Sequence, residues 1–349
     1  MDTRKGNRMS RLKPLAAAIL LAFAMPSWAE MNTADVMQDG ENNTATLEQA
    51  GTAINSQASI SQLGSSHIGV IQQQQVNNGQ VSITQEGSAN EGQIYQGGGG
   101  QDNSVALEQQ GDSNLATLNQ GSGIAQVADL RATQEGTGNT MHVTQNGFDT
   151  VLGVTSRGNN NWVEAVQYGG TTSGSVTQEG DNNTAYFRQS GGGGAGISQY
   201  GNGNSASLEQ STREFANGGI SQSGDNNFAS VRQSNMFGGL GVSQEGSNNE
   251  LYVVQGTRGS NLSGSTVGND NDVEINQYSD TSTINYSQTG DLNIAQIDQV
   301  GYQTQNSVSL TQNGIANQAL ITQGGDTFYG NTAGIMQTGT ANRATITQQ

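Results

Sequence analysis

The chain has 349 residues, a formal net charge of −17 and no cysteine. Apolar residues make up 32% of the chain and aromatic residues 5%, which is too little to fill the close-packed core of a globular enzyme of this length. Gly, Asn, Gln, Ser and Thr predominate instead, a composition typical of disordered or β-aggregating polypeptides. The lack of cysteine excludes disulfides and thiolate-bound metals.

The first 29 residues have the organisation of a secretory signal peptide. Five basic residues lie between Arg4 and Lys13, an apolar segment runs from Leu15 to Met25, and Ser27-Trp28-Ala29 has the small-x-small form of a cleavage site. The apolar segment is shorter than the ~20 residues that span a bilayer, so we expect export without stable membrane insertion. Residues 30–349 then hold seven Arg, no Lys and 28 carboxylates, and the resulting formal charge of −21 disfavours nucleic acid and anionic membranes as partners.

Residues 30–349 are predicted to form one repeat domain of fourteen units. Each unit approximates Q-x-G-x-x-N-x-[small]-x-[aliphatic]-x-Q, and successive units begin 21 to 25 residues apart, which indicates a repeat array. We number positions from the first residue of each unit, which is position 0. The units begin at Gln38, Gln62, Gln85, Gln109, Gln134, Ser156, Gln178, Gln199, Gln222, Gln244, Thr266, Gln288, Gln312 and Gln337.

Each unit is predicted to consist of a strand, a tight turn and a second strand. Apolar and polar residues alternate before the turn, as in Ala58 to Gln62, and after it, as in Asn43 to Gln49, and a period of two is typical of strands. Position +5 is Asn except for His67 in the second unit, and we expect this Asn to bond the backbone or to adopt the left-handed conformation. Position +2 is always glycine, which tolerates a positive φ: Gly40, Gly64, Gly87, Gly111, Gly136, Gly158, Gly180, Gly201, Gly224, Gly246, Gly268, Gly290, Gly314 and Gly339.

A unit of this length cannot bury its own apolar face, so we expect the units to stack at the ~4.8 Å spacing of paired strands. The predicted fold is all-β, a β-solenoid or cross-β stack of about fourteen strand-turn-strand repeats of ~22–23 residues. Variation in length falls on the connectors between units, at Gly97 to Gly100, at Gly191 to Gly194 and in insertions near Gly121 and Tyr302. One edge of the stack should therefore be regular and the other irregular.

Stacking turns equivalent positions into columns. Position −2 is predicted to face position +9 across a thin apolar interior, and its column includes Val36, Ile60, Ile83, Leu107, Val242 and Leu310. In register, each inward Gln or Asn amide can donate to one neighbour and accept from the other. The predicted apolar ladder at +9 contains Leu47, Ile71, Ile94, Leu118, Val143, Phe187, Leu208, Val231, Val253, Ile275, Ile297, Ile321 and Ile346, with Ala165 as its one small member. The predicted Gln ladder at +11 contains Gln49, Gln73, Gln96, Gln120, Gln145, Gln167, Gln189, Gln210, Gln233, Gln255, Gln277, Gln299, Gln323 and Gln348.

The outward charges provide a prediction of the register. At position +10, Arg188, Glu209 and Arg232 occupy successive units, and at position +1 the residues Glu135, Arg157 and Glu179 do the same. Asp at position +3 does not recur in neighbouring units, as avoidance of stacked carboxylates requires. Parallel in-register stacking must therefore place Glu209 between Arg188 and Arg232 on one face.

The repeat resembles that of curlin, the subunit of bacterial curli amyloid fibres, whose motif is close to S-x5-Q-x-G-x2-N-x-A-x3-Q. Residues Gln178 to Gln189 follow this motif position by position, and so do Gln222 to Gln233 and Gln288 to Gln299. The resemblance covers Asn32 to Gln349, but with fourteen units where familiar curlins have about five. The first predicted strand also starts within a few residues of Ala29, where the family has a segment linked to export.

The resemblance implies a structural subunit of an extracellular, cell-surface fimbrium of a Gram-negative-type bacterium. It implies self-association into fibres that support a biofilm matrix, surface adhesion and cell aggregation. It also implies a second curlin subunit, an outer-membrane secretion channel and accessory export factors as partners. A minor nucleator or adhesin of the same fibre, and a monomeric β-solenoid binding module, remain alternatives.

No catalytic, cofactor-binding or metal-binding residues are predicted. His67 and His142 lie three units apart without an ordered acid or nucleophile nearby, and we expect both to be solvated. The Gly-Asp-Asn-Asn segments at Gly180 and Gly224 lack the nine-residue period of calcium-binding β-rolls, which favours a turn role for them. The Gly-rich segments lack the Lys-Ser/Thr and helix of a phosphate loop, and no Thr column persists that would form a flat ice- or polysaccharide-binding face.

Overall fold

A computed structural model describes residues 31–51, 53–121, 127–211, 215–234, 236–256, 258–301, 305–325 and 330–348. The predicted signal peptide and the insertion at Tyr302 lie outside these residues. Within them the chain forms strands and turns and contains no helix that could cross a membrane.

The described residues form 28 strands, which alternate between two sheets of fourteen strands each. The first sheet contains β1 (Thr33–Glu41), β3 (Gln57–Ser65), β5 (Gln80–Ser88), β7 (Ser104–Asp112), β9 (Ala128–Thr137), β11 (Thr150–Asn159), β13 (Thr172–Glu179), β15 (Gly193–Tyr200), β17 (Asn217–Asp225), β19 (Gly239–Ser247), β21 (Asn261–Asn269), β23 (Thr283–Thr289), β25 (Ser307–Ile315) and β27 (Thr332–Thr340). The second contains β2 (Thr44–Ala50), β4 (Ile68–Gln74), β6 (Glu91–Gly97), β8 (Leu115–Gln120), β10 (Thr140–Phe148), β12 (Trp162–Gly170), β14 (Thr184–Ser190), β16 (Ser205–Ser211), β18 (Phe228–Gln233), β20 (Glu250–Gln255), β22 (Asp272–Ser279), β24 (Ile294–Gly301), β26 (Gln318–Gln323) and β28 (Arg343–Gln348).

Both sheets are parallel, and each strand pairs with its counterpart in the next unit. We call the two strands of one unit a rung, so rung 1 is β1 with β2 and rung 14 is β27 with β28. The predicted β-solenoid is therefore confirmed. The predicted register is also confirmed, because Glu209 on β16 is paired with Arg188 on β14 and with Arg232 on β18.

The interior consists of columns of equivalent residues from the two facing sheets. The +9 ladder is buried from Leu47 to Ile321, while Ile346 in the last rung is partly buried. The −2 column is buried at Ile60, Ile83, Leu107, Val242 and Leu310.

Two further inward columns were not predicted, at positions −4 and +7. Position −4 includes Leu130 and Leu152, and position +7 is mostly Ala, as at Ala116. Volume is balanced between columns within a rung: a Cβ added to Gly174 at −4 would lie 3.0 Å from the ring of Phe187 at +9. The unusually large residue of one column thus faces the smallest residue of another.

The turn between the two strands of a rung depends on three successive features. Glycine at +2 has a positive φ, 116° at Gly180, and a Cβ there would collide with the carbonyl oxygen of Gly201 in the next rung. The left-handed residue is at +4, for example Asn182 with φ 59°, and not at +5. Asn at +5 is buried and bonds the backbone instead. The connectors on the other edge vary, from Asp149 alone between β10 and β11 to residues 51–56 between β2 and β3.

The stacked charges lead to a prediction about stability. Glu209→Arg would place a third positive charge between Arg188 and Arg232, where a like-charge neighbour costs about 0.2–1 kcal/mol and is screened by salt. We expect a lower denaturation midpoint at low salt and a smaller difference at high salt. Asn119→Arg, in the same column between Tyr95 and Thr144, is the control. An equal effect of both variants at both salt concentrations would contradict the electrostatic explanation.

Candidate functional site: polar ladders and end rungs

The Gln ladder at +11 is continuous through all fourteen rungs. The Nε2 atom of each Gln donates to Oε1 of the Gln in the next rung at 2.7–3.2 Å, beginning with Gln49 to Gln73 and ending with Gln323 to Gln348. In most rungs the same Nε2 also donates to a backbone carbonyl, as Gln210 does to Ala216 O at 3.0 Å. The hydrogen bonds to this amide therefore offset the cost of burying it.

A second Gln ladder lies at position 0 of the opposite sheet and is interrupted twice. It runs from Gln38 to Gln134, from Gln178 to Gln244 and from Gln288 to Gln337. Ser156 and Thr266 occupy the breaks. Among the described residues, Gln178 Oε1 and Gln288 Oε1, which follow the breaks, have no hydrogen-bond partner. A buried acceptor without a partner costs about 1–3 kcal/mol, so each break is a weak point.

The Asn column at +5 is a third ladder, and its hydrogen bonds run in the opposite direction. Both the backbone N–H and Nδ2 of Asn114 donate back to Asn90 Oδ1, at 3.0 and 3.1 Å. Asn114 Nδ2 also donates forward to the carbonyl of Gly136 at 2.9 Å, the oxygen that a Cβ on Gly111 would strike. Each Asn therefore joins three rungs and fixes the turn glycines.

The expectation that His67 is solvated is wrong. His67 is fully buried in the Asn column, where its backbone N–H donates to Asn43 Oδ1 at 3.0 Å and its Nδ1 accepts from the Asn90 N–H at 3.3 Å. Its Nε2 lies 3.2 Å from the carbonyl of Leu63. The imidazole therefore replaces the acceptor and donor of the Asn amide. His142, in contrast, is exposed.

The outward face carries ion pairs between successive rungs. Arg157 lies between two carboxylates, 3.1 Å from Glu135 and 3.2 Å from Glu179, and Arg232 lies 2.9 Å from Glu209. The hydrogen bond and charge of Glu135, followed by the hydrogen bond to Glu179, raise the pKa of Arg157. These pairs are exposed, so each contributes little to stability by itself.

The Gly-Asp-Asn-Asn segments act as turns in the structure. Asp181 Oδ1 accepts hydrogen bonds from the N–H and Nδ2 of Asn159, at 2.7 and 2.9 Å, and Asp225 receives the equivalent pair from Asn202. Among the described residues, no group of three acidic or histidine side chains is arranged to hold a metal ion.

Position −1 forms a further outward column, which a pattern of Thr alone does not reveal. It is Ser or Thr in eleven of the fourteen units, from Ser61 to Thr311, and the two end units have Met37 and Met336 instead. Counting Ser with Thr would have revealed this column. The side chains of the column are small in most rungs.

The two ends of the stack present different groups because the ladders are directional. At rung 1, the Nε2 atoms of Gln38 and Gln49 and the Oδ1 atom of Asn43 bond rung 2. The Oε1 atoms of the two Gln and the backbone N–H of Asn43 therefore point away from the stack. At rung 14, the Oε1 atoms of Gln337 and Gln348 and the backbone N–H of Asn342 bond rung 13. An Nε2 hydrogen of each Gln and the Oδ1 atom of Asn342 therefore remain available to a further rung. The donors of one end therefore correspond to the acceptors of the other.

The fold and its ladders define a parallel β-solenoid whose rungs are joined by stacked side-chain amides. A family model described as the curlin associated repeat matches residues 32–64 and 158–191. These segments include β1 and, further along the chain, the turns of rungs 6 and 7. No curated protein matches the chain. These matches show that the chain contains curlin-associated repeats.

The importance of the ladder can be tested at two adjacent glutamines. Gln73 is buried and bonds Gln49 and Gln96, whereas Gln72 is exposed. Gln73→Leu removes the donor to the buried Gln96 Oε1, while the partly buried Gln49 Nε2 keeps the Ser56 carbonyl, and we expect it to lower the free energy of unfolding by about 1–3 kcal/mol, the cost of one unpaired buried group. Gln72→Leu should change it by less than about 0.5 kcal/mol. Chemical denaturation followed by circular dichroism measures both, and equal effects would show that the ladder is not a major source of stability.

Proposed function

We propose that this chain is a structural subunit of an extracellular, curli-like amyloid fibre, in which subunits join end to end by strand pairing. The curlin repeats and the β-solenoid fold are consistent with a structural role. The observation that carries the proposal is the match between the two end rungs. An unpaired strand edge is a template for another chain, and natural proteins that remain monomeric usually protect it.

The match extends through every inward column when rung 14 is placed on rung 1 of a second copy. Gln337 and Gln348 then meet Gln38 and Gln49, and Asn342 meets Asn43. The apolar columns continue in the same way, since Ile335 would cover Val36 and Ile346 would cover Leu47. Val36, which ends the −2 column at rung 1, and Ile346, which ends the +9 column at rung 14, are only partly buried within one chain. A joint of this kind would bury them as an internal rung does.

The charges of the end rungs favour this orientation of the joint. Rung 1 carries four carboxylates, Asp35, Asp39, Glu41 and Glu48, and no basic residue. Rung 14 carries no carboxylate and one basic residue, Arg343. In the proposed joint each carboxylate would lie over Gly or Thr, whereas a joint between two copies of rung 1 would bring eight carboxylates together. Fibres should therefore have one polarity.

The remaining parts of the proposal concern export and the fibre's role. We propose that residues 1–29 direct export and that residues 30–349 are the part that polymerises. The secretion channel, accessory export factors and second curlin subunit that the family resemblance implies would then act before or during polymerisation. The assembled fibres would contribute to a biofilm matrix, adhesion and cell aggregation.

The direct test is assembly of purified residues 30–349 without a cofactor. We expect concentration-dependent growth of fibres that diffract at about 4.8 Å and about 10 Å, the spacings of paired strands and packed sheets. Growth should accelerate on addition of preformed fibres. A chain that stays monomeric at high concentration over weeks would contradict the fibre proposal and favour a monomeric binding module.

The polarity and register of the joint can be tested by disulfide formation, since the chain has no native cysteine. Met37 and Met336 are both exposed, 62% and 82%, and would lie at paired positions across the joint. Their Cα atoms would be ~4.8 Å apart, within the range of about 4.4–6.8 Å for disulfides. We expect mild oxidation to cross-link a mixture of Met37→Cys and Met336→Cys subunits after assembly, with few cross-links in either variant alone. Asp35→Cys mixed with Met336→Cys is two residues out of register and serves as the control. Efficient cross-linking of Met37→Cys alone would show that two copies of rung 1 meet.

A further inference from the structure

Rung 11, formed by β21 and β22, combines three unfavourable features that occur together in no other described rung. The first is the break in the position 0 Gln ladder at Thr266, which leaves Gln288 Oε1 without a partner among the described residues. The second is Gly264 at −2, where rung 12 carries Tyr286 and the remaining rungs carry Ala, Val, Ile or Leu. The ring of Tyr286, from rung 12, occupies the space beside Gly264.

Tyr286 fills the volume but does not repair the ladder. Its ring is buried, and burial raises the pKa of its phenol, an effect that contact with Thr266 partly offsets. A tyrosine hydroxyl and a threonine hydroxyl cannot reproduce the donor and acceptor that a Gln amide presents to both neighbours. The contact between rungs 11 and 12 in the first sheet therefore depends on its backbone hydrogen bonds, on this aromatic ring and on the buried pair of Leu262 and Ile284, without a side-chain amide ladder.

The third feature lies on the outward face of the second sheet. Asp272 on β22 is paired with Glu250 on β20, and this is the only register pair in the described strands that places one carboxylate over another. Glu274, two residues along β22, lies on the same face. On the other side, β24 places Ile294 opposite Asp272, and its one carboxylate, Asp298, lies four positions further along, opposite Asn276. Burial, then Glu250 and Glu274, raise the pKa of Asp272.

Rung 6 provides a contrast within the same molecule. Its Gln ladder is also broken, at Ser156, and Gln178 Oε1 is left without a partner among the described residues. The residue that follows, Arg157, bridges Glu135 on β9 and Glu179 on β13 across this break. One interruption is thus spanned by attractive charge pairs, and the other coincides with a repulsive pair.

We infer that rung 11 is a pH-dependent weak point, whose contact with rung 10 opens transiently more often at neutral pH than after acidification. Because each rung contacts only its neighbours, strong rungs elsewhere cannot compensate for this junction. Protonation of Asp272 removes the repulsion from Glu250 without altering the backbone ladder. Acidic conditions would then keep rungs 10 and 11 paired for more of the time, which gives the chain a means of regulating how often its stack opens.

The direction of the effect follows from linkage. A carboxyl group whose pKa is higher in the folded than in the unfolded chain favours the folded state when it is protonated. Its contribution is complete below the ordinary Asp pKa and is lost as the pH rises through the raised pKa of Asp272. Added salt should have a similar effect to acid at neutral pH, because both carboxylates lie on the solvent side and are screened.

Hydrogen exchange of the full repeat chain, measured by mass spectrometry, tests this inference whether or not fibres form. Exchange rates of β22 and β12 peptides are compared at several pH values after correction for the intrinsic rates. At pH 7 and low salt we expect β22 to open about twofold to fivefold more often than β12, as one like-charge pair permits, and the ratio to fall at pH 4. Fibre growth is recorded separately, so failure to polymerise does not affect this result.

Three variants complete the experiment. Asp272→Asn removes the titrating group and should abolish the difference between pH 7 and pH 4 at β22, whereas Glu250→Gln removes its paired partner and should reduce that difference. Glu91→Gln occupies the same column in rung 3, between Ile68 and Leu115, and should leave β22 unchanged. The inference is overturned if β22 and β12 open equally at pH 7, or if neither Asp272→Asn nor Glu250→Gln reduces the pH dependence.

Discussion

The structure depends on one constraint, that a buried side-chain amide must have a hydrogen-bond partner directly above and directly below it. Gln and Asn are costly to bury alone, but a column of them at the spacing of paired strands satisfies each amide. This requirement holds the rungs in register more strictly than the apolar columns do, since Leu, Ile and Val exchange freely at +9. It also explains why changes in length are confined to the connectors, where no ladder passes.

The ladders also give the stack a direction. Each Gln Nε2 donates to the Gln of the next rung, whereas along the Asn column the backbone N–H and Nδ2 donate to Oδ1 of the preceding rung. Chains of hydrogen bonds polarise one another, so opposed directions moderate the total dipole while keeping each chain cooperative. The two ends consequently differ in donors, acceptors and charge, and a surface of this kind recognises the opposite end of another copy better than its own.

The repeat pattern in the sequence was sufficient to predict the strands, the regular turn edge, the register and the positions of the +9 and +11 columns. All of these depend on the identity of equivalent positions, which a single sequence with fourteen copies displays directly. The column at +7 was not predicted because Ala and Gly predominate there and give little hydrophobic signal. The column at −4 is Val, Leu or Ile in eight of the fourteen units, and its alternation with −2 is the signal that could have revealed it. The left-handed conformation at +4 was not predicted, because Leu292 and Ser66 occupy that position as well as Asn, and Leu and Ser give no sequence signal for a positive φ.

His67 shows a different limit of sequence reasoning. The lack of an acid or nucleophile near His67 predicts a solvated side chain, although its position in the Asn column already implies burial. Imidazole has one nitrogen that accepts and one that donates, which is the capability the column requires. The column, and not the usual preference of the residue type, was the better guide.

The contrast between rungs 6 and 11 follows from the same one-dimensional organisation. In a globular core, the loss of one buried hydrogen bond is shared among many neighbours, but here every rung is held by two others. A ladder break is therefore tolerable only if something else spans it, and Arg157 does so by reaching both Glu135 and Glu179. At rung 11 the outward residues repel, and Tyr286 compensates for volume alone. The stability of a rung therefore depends on its inward and outward columns together. Outward ion pairs strengthen a rung whose buried ladder is interrupted, and an outward like-charge pair weakens it further.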